Sequence, residues 1–279
     1  MAVELAPTVS LIHGAAIPAL GFGTSPLRGA EAAAAVRTAI ETGYRLIDTA
    51  ENYQNEDAAG QAIRDSGVDR GDIVLTTKFN RRWHSVDGVR QAAEASMERL
   101  GMDYLDLLLV HWPNPDQDGY VDALRGLAKL LDAGVLRAIG TSNFKPVHLQ
   151  RVLDETGIVP DVNQIQLSPY ATRSASRAYH AEHGIVTESW SPLGASSGEV
   201  RTDPVISEIA ARYGKSPTQT ILRWHIQLGL VPIPRSGNPG RITENLAIFD
   251  FTLDDADMAR ISALDRGEAS VTDSDVFGH

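Results

Sequence analysis

The sequence predicts an α/β protein in which eight parallel strands alternate with helices and close into a (β/α)8 barrel of the TIM type. Short apolar runs alternate eight times with longer segments of helical periodicity. Eight such units in roughly 250 residues are typical of this barrel. Several of the runs are apolar throughout, as expected for strands that are buried on both faces. The 279 residues therefore predict one domain over 1–279, without a linker.

The main alternative is a doubly wound open sheet, which would require a glycine-rich first turn. The run Gly21-Phe22-Gly23-Thr24 lacks the third glycine of that fingerprint. We therefore prefer the barrel, whose predicted strands are short apolar runs with polar residues after them. They are Leu20–Gly23, Tyr44–Asp48, Ile73–Thr77, Tyr104–Val110, Val135–Thr141, Val162–Leu167, Ile185–Trp190 and Leu230–Pro234.

The remaining elements precede, connect and follow these strands. Two apolar runs, Thr8–Ile12 and Ala15–Ala19, flank His13-Gly14 and predict an N-terminal β-hairpin. A polar, acidic tail from Arg266 is expected to lie on the surface. The predicted helices, which include an extra one at the C-terminal end, are Gly29–Thr42, Glu56–Ser66, Val86–Leu100, Tyr120–Asp132, Pro146–Glu155, Ser174–Glu182, Thr202–Tyr213, Pro217–Leu228, Pro239–Phe249 and Asp254–Leu264.

Composition excludes several classes of function. A net charge of -11 argues against nucleic acid and anionic membranes as partners. The absence of cysteine excludes disulfides, thiolate catalysis and cysteine-ligated zinc. The first residues lack a basic leader with an apolar core, and no apolar run reaches the ~20 residues that span a bilayer. We therefore expect a soluble, cytoplasmic protein.

Four ionisable residues follow three successive predicted strands. Asp48 and Tyr53 follow the second strand, Lys78 the third and His111 the fourth. In a TIM barrel the functional residues come from the carboxyl ends of the strands, so these side chains are expected to converge at one mouth. Each one alone has a structural interpretation, as a helix cap, a solvated end charge or a core histidine. Their convergence favours a catalytic site.

This set of residues suits the protonation of a carbonyl oxygen. A phenol has a pKa of about 10, and the Lys78 ammonium is expected to lower the pKa of Tyr53. Asp48 would keep Lys78 charged, and His111 would donate a hydrogen bond to an oxygen held beside the phenol. Such a tuned acid could protonate an alkoxide as it forms. The residues lack an electron source, so hydride must come from a cofactor.

Other strand ends could hold a nicotinamide cofactor. Ser142, Asn143 and Gln164 offer donors and acceptors for a carboxamide, and Trp190 offers a flat face for the ring. A core tryptophan remains the alternative. Near the last strand, Arg235, the Ser236 hydroxyl and a helix N-terminus form a phosphate-binding pattern, although a solvated basic pair would look the same. An arginine able to make a bidentate contact favours a 2′-phosphate, hence NADPH over NADH.

The chain resembles the aldo-keto reductases, especially their short bacterial members. The motifs that carry the resemblance are GFGT (21–24), DTAENYQNE (48–56), TK (77–78), DYLDLLLVHWP (103–113), IGTSNF (139–144), VNQIQLSP (162–169), ESWSPLG (188–194) and IPRSGNPGRITEN (233–245). The resemblance implies a barrel whose base is closed by the N-terminal hairpin and NADPH bound without a Rossmann domain. It implies reduction of a small aldehyde or ketone, such as a diketone or keto-sugar, by a monomeric enzyme without a metal.

The resemblance also assigns roles to residues. The catalytic residues would be Asp48, Tyr53, Lys78 and His111, with Tyr53 as general acid. Phe22, Tyr53, His111 and Trp112 would contact substrate. The cofactor would be held by Gly23, Thr24, Asp48, Ser142, Asn143, Gln164, Trp190, Ser191, Pro192, Leu193, Gly194, Ile233, Arg235, Ser236, Gly237, Asn238, Arg241, Glu244 and Asn245.

Three positions depart from the family pattern. Arg235 stands where members usually carry lysine, Asn80 where a tryptophan is common, and Ala195 where related reductases often place glutamine. The loop from Asn114 to Gly119 is short and suggests an open mouth.

Two other classes of function are open at this stage. One is a module that binds NADPH with little turnover. The other is a metal-dependent hydrolase that uses Asp48 and His111, for which further ligands are lacking because the other histidines considered (His84, His148, His180, His183) follow no strand end.

Overall fold

The protein forms the predicted barrel in the computed structural model, which describes residues 5–194 and 198–279. Two strands pair as an antiparallel hairpin, and eight parallel strands lie side by side in chain order. The hairpin strands are β1 and β2, and β3–β10 form the barrel. Their bounds are β1 Thr8–Ser10, β2 Ala16–Pro18, β3 Phe22–Gly23, β4 Leu46–Asp48, β5 Val74–Phe79, β6 Leu105–Val110, β7 Leu136–Ser142, β8 Val162–Gln166, β9 Val186–Trp190 and β10 Val231–Ile233.

The barrel closes between its first and last strands through backbone hydrogen bonds. Gly21 N donates to Pro232 O at 3.1 Å, and Gly23 N donates to Pro234 O at 3.0 Å. A Cβ on Gly21 would lie 2.5 Å from Ile233 Cδ1, so a larger residue here would have to displace the side chains of Ile233 and Leu46. The closed sheet therefore has its polar strand ends gathered in one ring.

The described helices surround the sheet. They are α1 Gly29–Thr42, α2 Glu56–Asp65, α3 Val86–Leu100, α4 Tyr120–Asp132, α5 Pro146–Thr156, α6 Ser174–His183, α7 Pro204–Tyr213, α8 Pro217–Gln227, α9 Pro239–Leu246 and the C-terminal α10 Asp255–Ser262. The predicted start of α7 at Thr202 was wrong. The Asp203 side chain accepts a hydrogen bond from Val205 N and caps the helix, so residues 199–202 form a separate 3-10 turn.

The N-terminal hairpin closes the base of the barrel. Leu11 and Ile17 from the hairpin pack with Leu46, Leu107 and Val162 in the apolar cluster inside the barrel. This end of the barrel is filled with aliphatic side chains, and their burial stabilises the fold. The polar residues therefore lie at the opposite, carboxyl end of the strands.

The C-terminal tail lies on the surface, as predicted, but specific contacts fix its path. Residues 266–279 carry many exposed side chains, but the chain returns to the carboxyl mouth of the barrel. Lys145 Nζ lies 2.6 Å from carboxylate oxygens of both Asp273 and Asp275, and Arg81 N donates to His279 O at 2.9 Å. Acidic residues that looked like solvated surface are thus partners of one lysine.

No helix among the described residues is long and apolar enough to cross a membrane.

Candidate active site

The structure brings the four predicted catalytic residues together around Lys78. Its ammonium nitrogen lies 2.7 and 2.8 Å from the two oxygens of Asp48 and 3.0 Å from Thr49 O. The same nitrogen lies 3.4 Å from the Tyr53 hydroxyl. Lys78 is fully buried at the end of β5, and Asp48 is nearly so at the end of β4. A short 3-10 turn after β4, Glu51–Tyr53, brings the phenol back over them.

Burial dominates the acidity of Tyr53. It raises the phenol pKa above the ordinary value of 10.0, while the charge of Lys78 lowers it and that of Asp48 raises it. Lys78 lowers the pKa as predicted, but burial, which the sequence analysis did not consider, is the larger effect and makes the net shift a rise. The phenol therefore stays protonated at neutral pH. Burial works against the charged form of Lys78, yet Asp48 and Tyr53 bring the ammonium's pKa above 10.5.

His111 is neutral and touches both Tyr53 and the C-terminal tail. The rings of His111 and Tyr53 meet edge to face with centroids 5.8 Å apart. Burial, Lys78 and His279 hold the pKa of His111 well below 6.5. His279 Nε2 lies 3.3 Å from His111 Nδ1. The other ring nitrogen of His111, Nε2, is therefore the one available to a ligand.

Gln164 links the ion pair to a residue that the sequence analysis did not select. Its Nε2 donates to Asp48 Oδ2 and to Glu188 Oε2, both at 2.8 Å. Glu188 is fully buried on β9, and burial followed by the charge of Asp48 raises its pKa to about 7. Strand alternation was the available signal, because Glu188 stands two residues before Trp190 and so points to the same side of the sheet.

A cavity of about 320 Å³ opens above this network. Ser25 is among its lining residues and was not predicted. The described residues that line it are Gly23, Ser25, Asp48, Tyr53, His111, Trp112, Ser142, Asn143, Gln164, Trp190, Ser191, Pro192, Leu193, Gly194, Ile233, Pro234 and Arg235.

Phe22, which was predicted to contact substrate, does not line the cavity. It is 1% exposed and packs edge to face against Tyr44, with ring centroids 5.8 Å apart. Gly21 and Gly23 face the barrel interior, so alternation along the strand turns Phe22 outward into the core between sheet and helices. This assignment is therefore corrected. Thr24 is buried beside it, and its N–H donates to Asp48 O at 3.0 Å.

Two lining residues have unusual backbone conformations. Asn143 has φ of 65° and Ser191 has φ of 50°, in the left-handed region that non-glycine residues seldom adopt. Asn143 Nδ2 donates to His111 O at 3.1 Å, and its Oδ1 accepts from Trp190 Nε1 at 2.7 Å. These contacts hold Trp190 at the wall of the cavity.

The predicted phosphate-binding residues begin at Arg235, which lines the cavity, and continue into α9. Arg235 is exposed and, among the described residues, has no ion-pair partner. Asn238 Oδ1 accepts from Arg241 N at 3.0 Å and caps α9. Ser236 Oγ accepts from Asn238 N at 3.0 Å. The other predicted contacts nearby are Gly237, which is exposed, Glu244, which is half-buried, and Asn245, which is buried.

The C-terminal tail covers the edge of the mouth beside Trp112, which the short loop had predicted to be open. Phe277 packs on Trp112 with ring centroids 4.8 Å apart, and a Cβ on Gly278 would lie 2.1 Å from Asn114 Nδ2. The prediction of an open mouth was wrong here because the tail covers this edge.

Two positions that depart from the family pattern are Asn80 and Ala195. Asn80 N donates to Glu51 Oε2 at 3.1 Å, and Ala195 lies outside the described residues.

No group of three or more histidine, aspartate or glutamate side chains within residues 5–194 and 198–279 is arranged to hold a metal ion.

The barrel and its buried Lys–Asp–Tyr–His set define an oxidoreductase that works at a carbonyl. The model of the aldo/keto reductase family matches residues 19–266. The chain therefore belongs to the aldo/keto reductase family.

Individual relatives match nearly the whole chain. It is 46% identical over 94% of both chains to 2,5-diketo-D-gluconic acid reductase B of Corynebacterium sp.. It is 44% identical over 98% of both to methylglyoxal reductase DkgA of Salmonella typhimurium. The structure of a Gox0644 point mutant in complex with NADPH aligns with a TM-score of 0.93 at 38% identity, over 99% of this chain and 100% of that one.

Proposed function

We propose that the protein reduces aldehyde and ketone carbonyls to alcohols with NADPH, and that Tyr53 is the general acid. The observation that carries this is the Tyr53 hydroxyl, 3.4 Å from the Lys78 ammonium in the wall of a cavity. A protonated phenol beside a buried cation is suited to giving its proton to a carbonyl oxygen that gains negative charge.

The residues divide the work of the reaction. NADPH, when bound, supplies the hydride that adds to the carbonyl carbon. Tyr53 donates its proton to the carbonyl oxygen, and Lys78 stabilises the phenolate that remains. Asp48 holds the ammonium in place through both carboxylate oxygens. His111, neutral because of its low pKa, orients the carbonyl by a hydrogen bond from Nε2.

The cavity suits a nicotinamide cofactor on the evidence of its own residues. Trp190 offers a face at one side, while Gln164 has both N–H groups engaged and only Oε1 left to accept from a carboxamide. Gly194, in the turn that forms part of the wall, has φ of 79°, a left-handed conformation that favours glycine. Arg235, unpaired within the described chain, offers a cation for phosphate. The NADPH complex of Gox0644, an aligned neighbour, supports NADP(H) as the cofactor.

We propose small polar carbonyl compounds, including diketones and keto-sugars, as substrates. The names of two relatives refer to a diketo acid and to methylglyoxal, each of which carries two carbonyl groups. The tail residues Phe277 and His279 limit the room above Trp112 and His111. We further propose that the chain is a single domain and acts as a cytoplasmic monomer. The net charge of -11 supports the proposal that it has no nucleic-acid partner.

The test is Tyr53→Phe, which removes the proton and leaves the ring. We expect kcat for NADPH-coupled reduction of methylglyoxal or a diketone to fall at least about 100-fold. The NADPH Kd should change less than about twofold, because the phenol proton acts only in the reaction. Tyr179→Phe, on the outside of α6, is the matched control and should keep wild-type kcat. Retained turnover in Tyr53→Phe would exclude the assignment.

A further inference from the structure

Glu188 is a buried carboxyl inside the barrel that the proposed mechanism does not use. It is fully inaccessible to solvent and stands two residues before Trp190 on β9. Its Oε2 accepts one hydrogen bond from Gln164 Nε2 at 2.8 Å. Its Oε1 has no hydrogen-bond partner among the described residues. A carboxyl with one unpaired oxygen is costly to bury as an anion, so its presence inside the barrel needs a functional explanation.

A single amide joins Glu188 to the proposed nicotinamide site. Gln164 uses one N–H for Asp48 and the other for Glu188, so its amide orientation is fixed from two sides. Gln164 also lines the cavity, next to Trp190. Glu188 therefore lies one side chain behind the place where the nicotinamide ring would sit.

The surroundings of Glu188 do not neutralise it. Its partners in the neighbouring strands are Gln164 on β8 and Val231 on β10, and both are uncharged. Across the barrel it faces the charges of Asp48 and Lys78, which are already paired with each other. Burial and the Asp48 charge place its pKa near 7, so its charge changes at neutral pH.

We propose that Glu188 couples its own protonation to the redox state of the bound cofactor, so that ionised Glu188 favours NADP+ and protonated Glu188 favours NADPH. The nicotinamide ring carries a positive charge only in the oxidised form, and a carboxylate behind it attracts that form alone. Coupling of this kind is reciprocal, so NADP+ promotes loss of the Glu188 proton and NADPH promotes its uptake. The inference rests on the proposed function, because it needs the ring at Gln164 and Trp190.

The test measures the ratio of Kd for NADPH to Kd for NADP+ between about pH 5.5 and about pH 8.5, by quenching of tryptophan fluorescence. The ratio cancels the titration of the 2′-phosphate, which both forms carry. In the wild type we expect the ratio to rise on the order of tenfold, the size expected for two charges one side chain apart in a protein interior. Glu188→Gln can still accept from Gln164 and should give a flat ratio. Glu182→Gln, exposed on α6, is the matched control and should behave as the wild type.

Two results would overturn the proposal: a wild-type ratio that does not change with pH, or the same rise in Glu188→Gln. If that variant does not fold, calorimetry of the wild type in buffers of different ionisation enthalpy gives the answer. Exchange of bound NADP+ for NADPH near pH 7 should take up a fraction of a proton, and no uptake would refute the coupling. Failure of this proposal can be distinguished from failure of the proposed function. If the proposed function is wrong, Tyr53→Phe retains turnover, whatever the ratio of the two Kd values does with pH.

Discussion

Replacing Glu188 by glutamine should make the folded protein more stable at alkaline pH than the wild type. Glu188 has a pKa of about 7 in the folded protein against an ordinary value of 4.5. Between these two pH values the folded state holds a proton that the unfolded chain has released. The free energy of unfolding therefore falls as the pH rises through this window, and the penalty stays constant above it.

The size of the effect follows from that window. A difference of one pKa unit corresponds to about 1.4 kcal/mol, so the window corresponds to a penalty of roughly 3 kcal/mol. Because part of it is present already at the acid end, we expect the stability advantage of Glu188→Gln to grow by roughly 2 to 3 kcal/mol between about pH 5 and about pH 8. A constant offset added to this pH-dependent growth would reflect packing and does not affect the test.

Urea unfolding of both proteins at several pH values measures this difference. The subtraction removes every other titrating group, because the two chains differ at one position. Glu182→Gln provides the control, because its carboxyl is exposed on α6 and should show no pH-dependent difference. A difference between Glu188→Gln and the wild type that does not vary with pH would refute the reasoning. It would mean that Glu188 is ionised in the folded protein at every pH tested.

Two further changes test the two ends of the cavity. Arg235→Ala should raise the KM for NADPH by roughly 10-fold or more and the KM for NADH far less, because only NADPH carries the 2′-phosphate that a charge-assisted contact would hold. Equal effects on the two KM values would contradict this. Arg37→Ala, at an exposed arginine, is the control. Phe277→Ala removes the ring whose centroid lies 4.8 Å from that of Trp112. It should raise the KM for the carbonyl substrate about 2- to 10-fold while the Kd for NADPH stays unchanged. Val276→Ala, at a side chain that is 87% exposed, should have no effect, and a matching rise in NADPH Kd would contradict the placement of Phe277 on the substrate side.

Local signals in the sequence were sufficient to predict the elements and the centre of the site. Ser85 and Gly101 bound α3, and the structure has this helix at the predicted residues. Asp48 and Lys78 end neighbouring strands, so barrel geometry alone predicted that they would meet. These features depend on residues close in sequence or on a regular fold.

Other features depend on contacts that no local pattern contains. Lys145 meets Asp273 across 128 positions, so the path of the tail could not be read from its composition. The strand at Phe22 has only two residues, too few to show which side chain faces inward. The pKa of Tyr53 depends on opposing effects of burial and charge, and the extent of burial is known only from the packed structure.

The seam between β10 and β3 would give the proposed cofactor a mechanical role. β3 is the shortest barrel strand among the described residues, and the seam includes the backbone bonds at Gly21 and Gly23. Gly23 from one side of this joint and Ile233, Pro234 and Arg235 from the other all border the cavity. A dinucleotide lying there would bridge the joint and hold the first and last units of the barrel against each other. Occupancy would then restrain the opening of the barrel at its thinnest point, so the same molecule that reacts would also act as a clamp.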